Sequence, residues 1–184
     1  SRGESNNLTL ALKKPFQDNW SASVGFTWSR ATDVNPGMSS VAMSSYKGVY
    51  VTNSNENKPS ISNYNTPLRA IASVSWRHAF FGNYYTTIGA FYDGHSGSPY
   101  SWAFGNDANG DSFANDLAYI PRQGDVEFKP GTSQTEIDQF YAYIKNNDYL
   151  RKHQGQIAQR NATKAPWINQ LDLSISQEIP GLFK

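Results

Sequence analysis

Strict alternation of apolar and small polar side chains from Trp20 onward is the feature that most limits the folds open to this chain. Even positions from Trp20 to Trp28 are aromatic or aliphatic, and the odd positions between them are serine, glycine or threonine. A period of two residues predicts a β-strand with one apolar and one polar face. Such a strand needs an apolar surrounding on one side only.

The separation of the two tryptophans indicates what that surrounding is. Eight residues from Trp20 to Trp28 span roughly 26 Å at 3.3 Å per residue. A strand tilt of about 40° reduces this height to roughly 20 Å, close to the lipid-facing band between the aromatic girdles of a membrane β-barrel. From this segment alone, an antiparallel sandwich strand with one buried face remains the alternative.

Further segments repeat the alternation, although Ile71 interrupts it in one of them. We predict strands near residues 7–14, 20–32, 67–78, 84–104 and 168–179.

The connections between these strands alternate in length. Segments 14–19 and 79–83 are predicted short turns, and 180–184 begins another. Segments 33–66 and 105–166 are far longer than a compact domain usually contains without a function. Periplasmic turns are short and extracellular loops long in outer-membrane barrels. We therefore predict an all-β fold, an antiparallel transmembrane β-barrel segment of about five strands with long extracellular loops.

Composition supports this class and argues against others. Aromatic residues make up 14% of the chain although its mean hydropathy is low, as expected when half of each strand faces water. Sixteen Lys and Arg balance fifteen Asp and Glu, so nucleic acid is not an expected partner. Without cysteine, disulfides and thiolate metal sites are excluded. The polar opening SRGESNN indicates a start within a larger protein.

One long loop contains a helix signal. Ser133 and Glu136 fit a capping box, and apolar residues follow at helical spacing up to Ile144. Residues 146–148, Asn-Asn-Asp, are predicted to end the helix. We expect its apolar face to pack on the neighbouring loop and not on a partner.

The other signal in that loop is a cluster of hard oxygen ligands. Asp107, Asn109 and Asp111 follow at every second position and Asp116 lies five residues further on, a spacing that can hold calcium. The match to an EF-hand loop is incomplete, because Gly110 precedes Asp111. A solvated turn in which Asn and Asp bond their own backbone is the alternative.

Signals for catalysis are weak, and we predict no enzymatic activity, catalytic residue or organic cofactor. Residues 94–98 approach a nucleophile elbow, but Ser98 occupies the final glycine position. Ser44 and Lys47 form a Ser-x-x-Lys without its companion motifs. The three histidines, His78, His95 and His153, have no zinc-site spacing.

Two stretches, 91–121 and 155–184, resemble the C-terminal barrel region of Oar-like TonB-dependent outer-membrane receptors. The first contains SGSPYS followed by NDANGD and ND, and the second contains RN and APW before QEIPG. The matching residues are Ser96, Gly97, Pro99, Tyr100, Ser101, Asn106, Asp107, Asn109, Gly110, Asp111, Asn115, Asp116, Pro121, Arg160, Asn161, Ala165, Pro166 and Trp167.

The resemblance implies a location in the bacterial outer membrane. It implies a 22-stranded barrel with an N-terminal plug, opened by the inner-membrane TonB complex to move an unknown substrate. The expected partners are outer-membrane lipid, the TonB complex acting through a plug absent from this chain, and that substrate. The last barrel strands are also expected to be absent. The alternative function is a calcium-stabilised cell-surface adhesion or binding module without transport.

Overall fold

The computed structural model describes residues 3–37, 39–53, 55–56 and 58–181. Most of the regular structure is antiparallel β-sheet with few helices. The strands are β1 (Glu4–Gln17), β2 (Trp20–Asp33), β3 (Ser60–Ile61), β4 (Leu68–Phe81), β5 (Tyr84–His95), β6 (Pro99–Tyr100), β7 (Tyr119–Ile120), β8 (Gln156–Ile157), β9 (Thr163–Lys164) and β10 (Ile168–Gln177). The helices are α1 (Ala42–Lys47), α2 (Gln134–Asn146) and α3 (Asp148–Lys152).

The chain divides into two compact units. The sheet unit contains residues 5–30, 65–98 and 165–181, and the loop unit contains residues 3–4, 31–64 and 99–164. Most of the predicted turn at 180–184 lies outside the described residues. Among the described residues, no helix has both the length and the apolar character that crossing a membrane requires.

The sheet unit is an open sheet in the order β1-β2-β4-β5-β10, with β1 and β10 as its two edges in the described part of the chain. Strands β2, β4, β5 and β10 pair antiparallel along this order. Its long strands confirm the sheet predicted from the alternation. The order follows the sequence because each strand pairs with the next long strand of the chain.

The short connections are tighter than the sequence suggests. Strand β1 continues to Gln17, so Asp18 and Asn19 alone connect it to β2, with φ of 55° and 66°. Two positive φ values in a two-residue loop are typical of the type I′ turn, which fits the twist of a hairpin. The second hairpin turns at Gly82 and Asn83, where Gly82 has a φ of 63°.

The strand predicted over residues 84–104 is divided in the structure. Strand β5 ends at His95, and Pro99–Tyr100 belongs to a separate ladder with Thr163–Lys164 in the loop unit. Gly97 lies at the break, where a Cβ atom would come within 2.5 Å of the Pro166 carbonyl oxygen. After His95, the contact between the Gly97 backbone and the Pro166 backbone takes the place of regular β-sheet hydrogen bonding.

The predicted helix and its packing are confirmed. The Ser133 hydroxyl accepts from the Glu136 N–H at 3.3 Å, and the Glu136 carboxylate accepts from the Ser133 N–H at 2.8 Å. Ile144 from α2 lies in the buried core of the loop unit with Ile120 and Leu150. The helix therefore contributes its apolar side to the unit that contains it.

We expect Ser133→Ala to weaken the first turn of α2 by about 1 kcal/mol, because the Glu136 N–H loses the Ser133 hydroxyl that accepts from it. Amide hydrogen exchange at residues 136–140 measures the local opening free energy. Thr135→Ala, within the same first turn, is the control and should leave that exchange nearly unchanged. Equal acceleration in both variants would contradict the capping role.

Candidate functional site: the two faces of the sheet and the ties of the loop unit

One face of the sheet is apolar across strands β2, β4, β5 and β10. Residues directly opposite in an antiparallel pair share a face, so the register assigns each row of side chains. The rows are Trp20-Trp76-Ile88-Ile175, Ala22-Val74-Ala90-Leu173 and Val24-Ala72-Tyr92-Leu171.

The same face continues onto β1. The hydroxyls of Thr9 and Thr27 lie 3.1 Å apart, which places both residues on the opposite face of the sheet. Because side chains alternate along a strand, Leu8 and Leu10 lie on the apolar side with Phe26. The apolar face thus extends over all five strands of the sheet unit.

The apolar face is exposed. Val24 has 57% of its surface accessible and Leu173 has 75%. A buried sandwich face needs an opposing layer, and the described residues place none over these side chains. Continuous apolar surface of this extent is rare on soluble monomers and marks a surface that something else covers.

The opposite face carries mostly small polar residues, together with an exposed Phe91 opposite Ser73. Ser23 and Ser73 are directly paired and their hydroxyls lie 2.7 Å apart. Ile71, the exception to the alternation, lies opposite Gly25, where a Cβ atom would come within 3.0 Å of the Ile71 side chain. The missing side chain at Gly25 therefore leaves the space that Ile71 occupies.

A charged cluster lies on this polar face. Arg69 donates to both carboxylate oxygens of Asp93, at 3.0 Å and 2.7 Å. His95 Nδ1 lies 3.5 Å from the Asp93 carboxylate. The sequence gives no signal for this cluster, because Arg69 and Asp93 are 24 residues apart and meet only through the β4–β5 register.

In the loop unit, Arg160 connects segments that are far apart in the sequence through side-chain hydrogen bonds, and we call such a connection a tie. Arg160 is only 5% exposed, and it donates to the Val34 carbonyl at 2.6 Å and to the Asp33 carboxylate at 2.8 Å. Burial lowers the pKa of Arg160, and the Asp33 charge opposes that shift. An arginine remains charged at any ordinary pH, so Asp33 supplies the charge that this buried position needs.

Asn161 makes a second tie beside it. Its amide donates to the Ile61 carbonyl at 2.8 Å and to the Asn63 side chain at 2.6 Å. Its backbone N–H donates to the Ser101 hydroxyl at 2.8 Å. The φ of Asn161 is 57°, a left-handed conformation that asparagine tolerates better than most residues.

Asn115 makes the third tie and is 1% exposed. Its amide donates to the Val49 carbonyl at 3.0 Å and to the Tyr46 carbonyl at 3.3 Å, while the Val51 N–H donates to the Asn115 carbonyl at 3.0 Å. Asn115, Arg160 and Asn161 all belong to the motifs quoted in the sequence analysis. These three residues hold the two segments predicted as separate long loops in one compact unit.

The predicted calcium ligands lie together in one loop. The Asp107 carboxylate accepts from the N–H groups of Gly110 at 2.7 Å and Ser112 at 2.8 Å. Asp116 accepts from the Ala108 N–H at 2.7 Å and from the Asn109 amide at 2.6 Å. The loop therefore satisfies these oxygens with its own donors, as in the solvated-turn alternative, and calcium binding here stays a prediction.

This arrangement predicts a pH dependence. Backbone donors, the Ser112 N–H foremost, hold the pKa of Asp107 below its ordinary value of 3.8. Because the folded pKa is depressed, this stabilisation is complete above the ordinary value and is lost as pH falls through the lowered folded pKa. We expect the protection factors of the amides at residues 110–112, which compare exchange with its intrinsic rate at each pH, to fall on acidification through that range. Asp107→Asn should remove the dependence, whereas Glu127→Gln should preserve it; an identical profile in all three proteins would contradict the assignment.

The three histidines do not form a common site. His78 stacks on Trp76, His95 lies beside Asp93, and His153 stacks on Tyr149 with centroids 4.2 Å apart. Across the described ranges, no group of three or more His, Cys, Asp or Glu side chains is arranged to hold a metal ion.

Comparison with known proteins gave no relative: no family model matches this chain, and no similar curated protein or solved structure was found.

Proposed function

We propose that this chain is part of an outer-membrane TonB-dependent transporter that moves a substrate across the bacterial outer membrane. The observation that carries the proposal is the exposed apolar face of the sheet, backed by a polar face. Lipid tails cover the apolar face, and the polar face lines a water-filled passage.

The exposed side chains make water an unfavourable environment for this face. Covering a valine, leucine or isoleucine contributes roughly 1.5–3 kcal/mol. Leu171, Leu173 and Ile175 all lie on β10 and are largely exposed. In a bilayer, these side chains contact acyl chains without requiring a second protein layer.

Aromatic residues border the apolar face at both ends. Trp20 and Trp76 are directly paired next to the tight turns, and Trp28 pairs with Leu68 at the other end. Trp167 immediately precedes β10 at that same end. Indole rings favour the membrane–water boundary, so this distribution fits a spanning orientation.

The position of the connections supports an external mouth. Both tight turns follow the end marked by Trp20 and Trp76. Both long connections, from β2 to β4 and from β5 to β10, leave from the opposite end. In outer-membrane barrels the long loops are extracellular, so segments 33–66 and 105–166 form part of the mouth.

The resemblance to Oar-like receptors supports the TonB-dependent class. Its motif residues Asn115, Arg160 and Asn161 make the ties of the loop unit. Energy coupling belongs to the TonB complex, which acts on a plug, and the sheet would form part of the surrounding barrel.

Cell fractionation tests the proposal. The protein that carries this chain should sediment with outer membranes, resist salt extraction and enter detergent. Its mobility on gels should change with heating, because a closed barrel resists denaturation until boiled. Recovery as a soluble secreted protein would overturn transport.

The calcium-stabilised adhesion or binding module is a second candidate, because Asp107, Asn109, Asp111 and Asp116 supply oxygen ligands within one loop, although their carboxylates are not grouped as a metal site in the described structure. It predicts heat release when calcium is added up to millimolar concentration, and loss of that heat in Asp107→Asn. No heat at millimolar calcium would remove this candidate and leave the transport proposal intact.

A further inference from the structure

A groove on the sheet unit combines an apolar wall with the cationic group of Lys14. It lies in the β1–β2 hairpin, has a volume of about 350 Å³ and is lined by Leu12, Lys13, Lys14, Ala22, Ser23 and Val24. We call it the Lys14 groove. The groove is open, a shape that suits a chain lying along the surface.

The ammonium group of Lys14 is held in place. It lies 4.1 Å from the centre of the Trp20 ring and donates to the carbonyls of Gln17 at 2.8 Å and Trp20 at 3.2 Å. An ammonium group has three N–H donors, so one remains for a ligand. The fixed position reduces the conformational entropy that ligand binding would cost.

The surroundings of Lys14 match a membrane boundary. Trp20 pairs directly with Trp76, and the His78 ring is parallel to that of Trp76 at 5.7 Å. Phe80 contacts His78 edge-on at 4.7 Å. The groove thus begins in an aromatic belt at the tight-turn end and continues into the apolar face along Ala22 and Val24.

The charge of the groove selects the occupant. Lys14 presents its ammonium group to the groove beside Trp20, and none of the lining residues is acidic. An anionic phosphate satisfies the remaining Lys14 donor, and an attached acyl chain fits the wall of Leu12, Ala22 and Val24. A water-soluble anion would leave that apolar wall unused.

We propose that the Lys14 groove binds an anionic phospholipid, with its phosphate on the Lys14 ammonium group and one acyl chain along Leu12 and Val24. This site rests on the proposed function, since it places the tight-turn end of the sheet at the headgroup level of a bilayer. The Lys14 site would give the sheet a preference for anionic headgroups, which a lipid-facing sheet without this site does not need.

Tryptophan fluorescence tests the site in a protein that keeps Trp20, beside Lys14, as its single tryptophan, with phenylalanine at the other four positions (Trp28, Trp76, Trp102 and Trp167). The protein is reconstituted in phosphatidylcholine vesicles containing a small fraction of phosphatidylglycerol or phosphatidylcholine brominated on the acyl chains. We expect at least twofold stronger quenching by the brominated phosphatidylglycerol at equal content. Lys14→Gln should reduce that quenching to the phosphatidylcholine level, Lys14→Arg should retain most of the preference, and Lys129→Gln in the loop unit should match the parent.

Each outcome separates the lipid site from the proposed function. Equal quenching by both brominated lipids in the parent protein overturns the headgroup site while leaving membrane insertion in place. No quenching by either lipid contradicts the insertion on which both proposals depend. Abolition of the preference by millimolar inorganic phosphate would indicate a site for free phosphate and overturn the lipid assignment.

Discussion

Val24→Arg is expected to lower the free energy of unfolding in a membrane by about 2–4 kcal/mol, whereas Ser23→Arg should have a much smaller effect. Val24 lies on the exposed apolar face between the rows of Trp20 and Trp28. An arginine there must desolvate its charge or distort the bilayer. Ser23 lies on the opposite face, next to the hydroxyl of Ser73, where water remains available.

Urea titration of the protein in lipid vesicles measures this difference. The two substitutions introduce the same side chain at adjacent positions of one strand, so the added side chain and charge are matched. Equal losses of unfolding free energy in Val24→Arg and Ser23→Arg would contradict a lipid-facing surface. In a soluble protein with this face in water, Val24→Arg would be nearly neutral, so the size of its effect decides between the two environments.

Arg160→Met is expected to destabilise the loop unit by about 3 kcal/mol, because breaking a buried ion pair leaves an uncompensated charge. The substitution retains apolar volume but removes the partner of the Asp33 carboxylate. It also leaves the Val34 carbonyl without its donor. We place the expected value at the low end for such pairs, because Asp33 is less deeply buried than Arg160.

Hydrogen exchange at residues 31–37 and 60–64 reports this loss, since these segments depend on Arg160 and Asn161. Arg151→Met is the matched control: Arg151 pairs with Asp148 at 2.6 Å on an exposed helix surface, where ion pairs contribute little. Equal exchange in the two variants would contradict the role of Arg160 as a tie. In the Asp33→Asn background, Arg160→Met should destabilise the loop unit by less, because no Asp33 carboxylate is then left buried without a cationic partner.

Local patterns in the sequence predict much of this fold. The alternation around Trp20 and Leu68 predicts strands whose faces differ in polarity, and the register assigns those faces as expected. Ser133 and Glu136 predict the start of α2 because a capping box is contained within four residues. The ligand-rich segment around Asp107 could also be identified, since its hydrogen bonds are local.

Contacts between distant residues explain what the sequence does not predict. Asp33 and Arg160 are 127 residues apart, and no local pattern marks them as partners. Segments 33–66 and 105–166 therefore look like independent loops although they form one unit. The Lys14 groove was missed for a similar reason, since its shape depends on how the β1–β2 hairpin closes around Asp18 and Asn19.

Among the described residues, β1 and β10 each pair with another strand of the sheet on one side only, and this has a practical consequence for handling the polypeptide. Each edge presents backbone donors and acceptors that can template another strand. Detergent micelles cover the apolar face of the sheet but leave the backbone amide and carbonyl groups of the two edge strands accessible. The isolated polypeptide should therefore associate edge to edge even in detergent, unless further strands or a chaperone cover both edges.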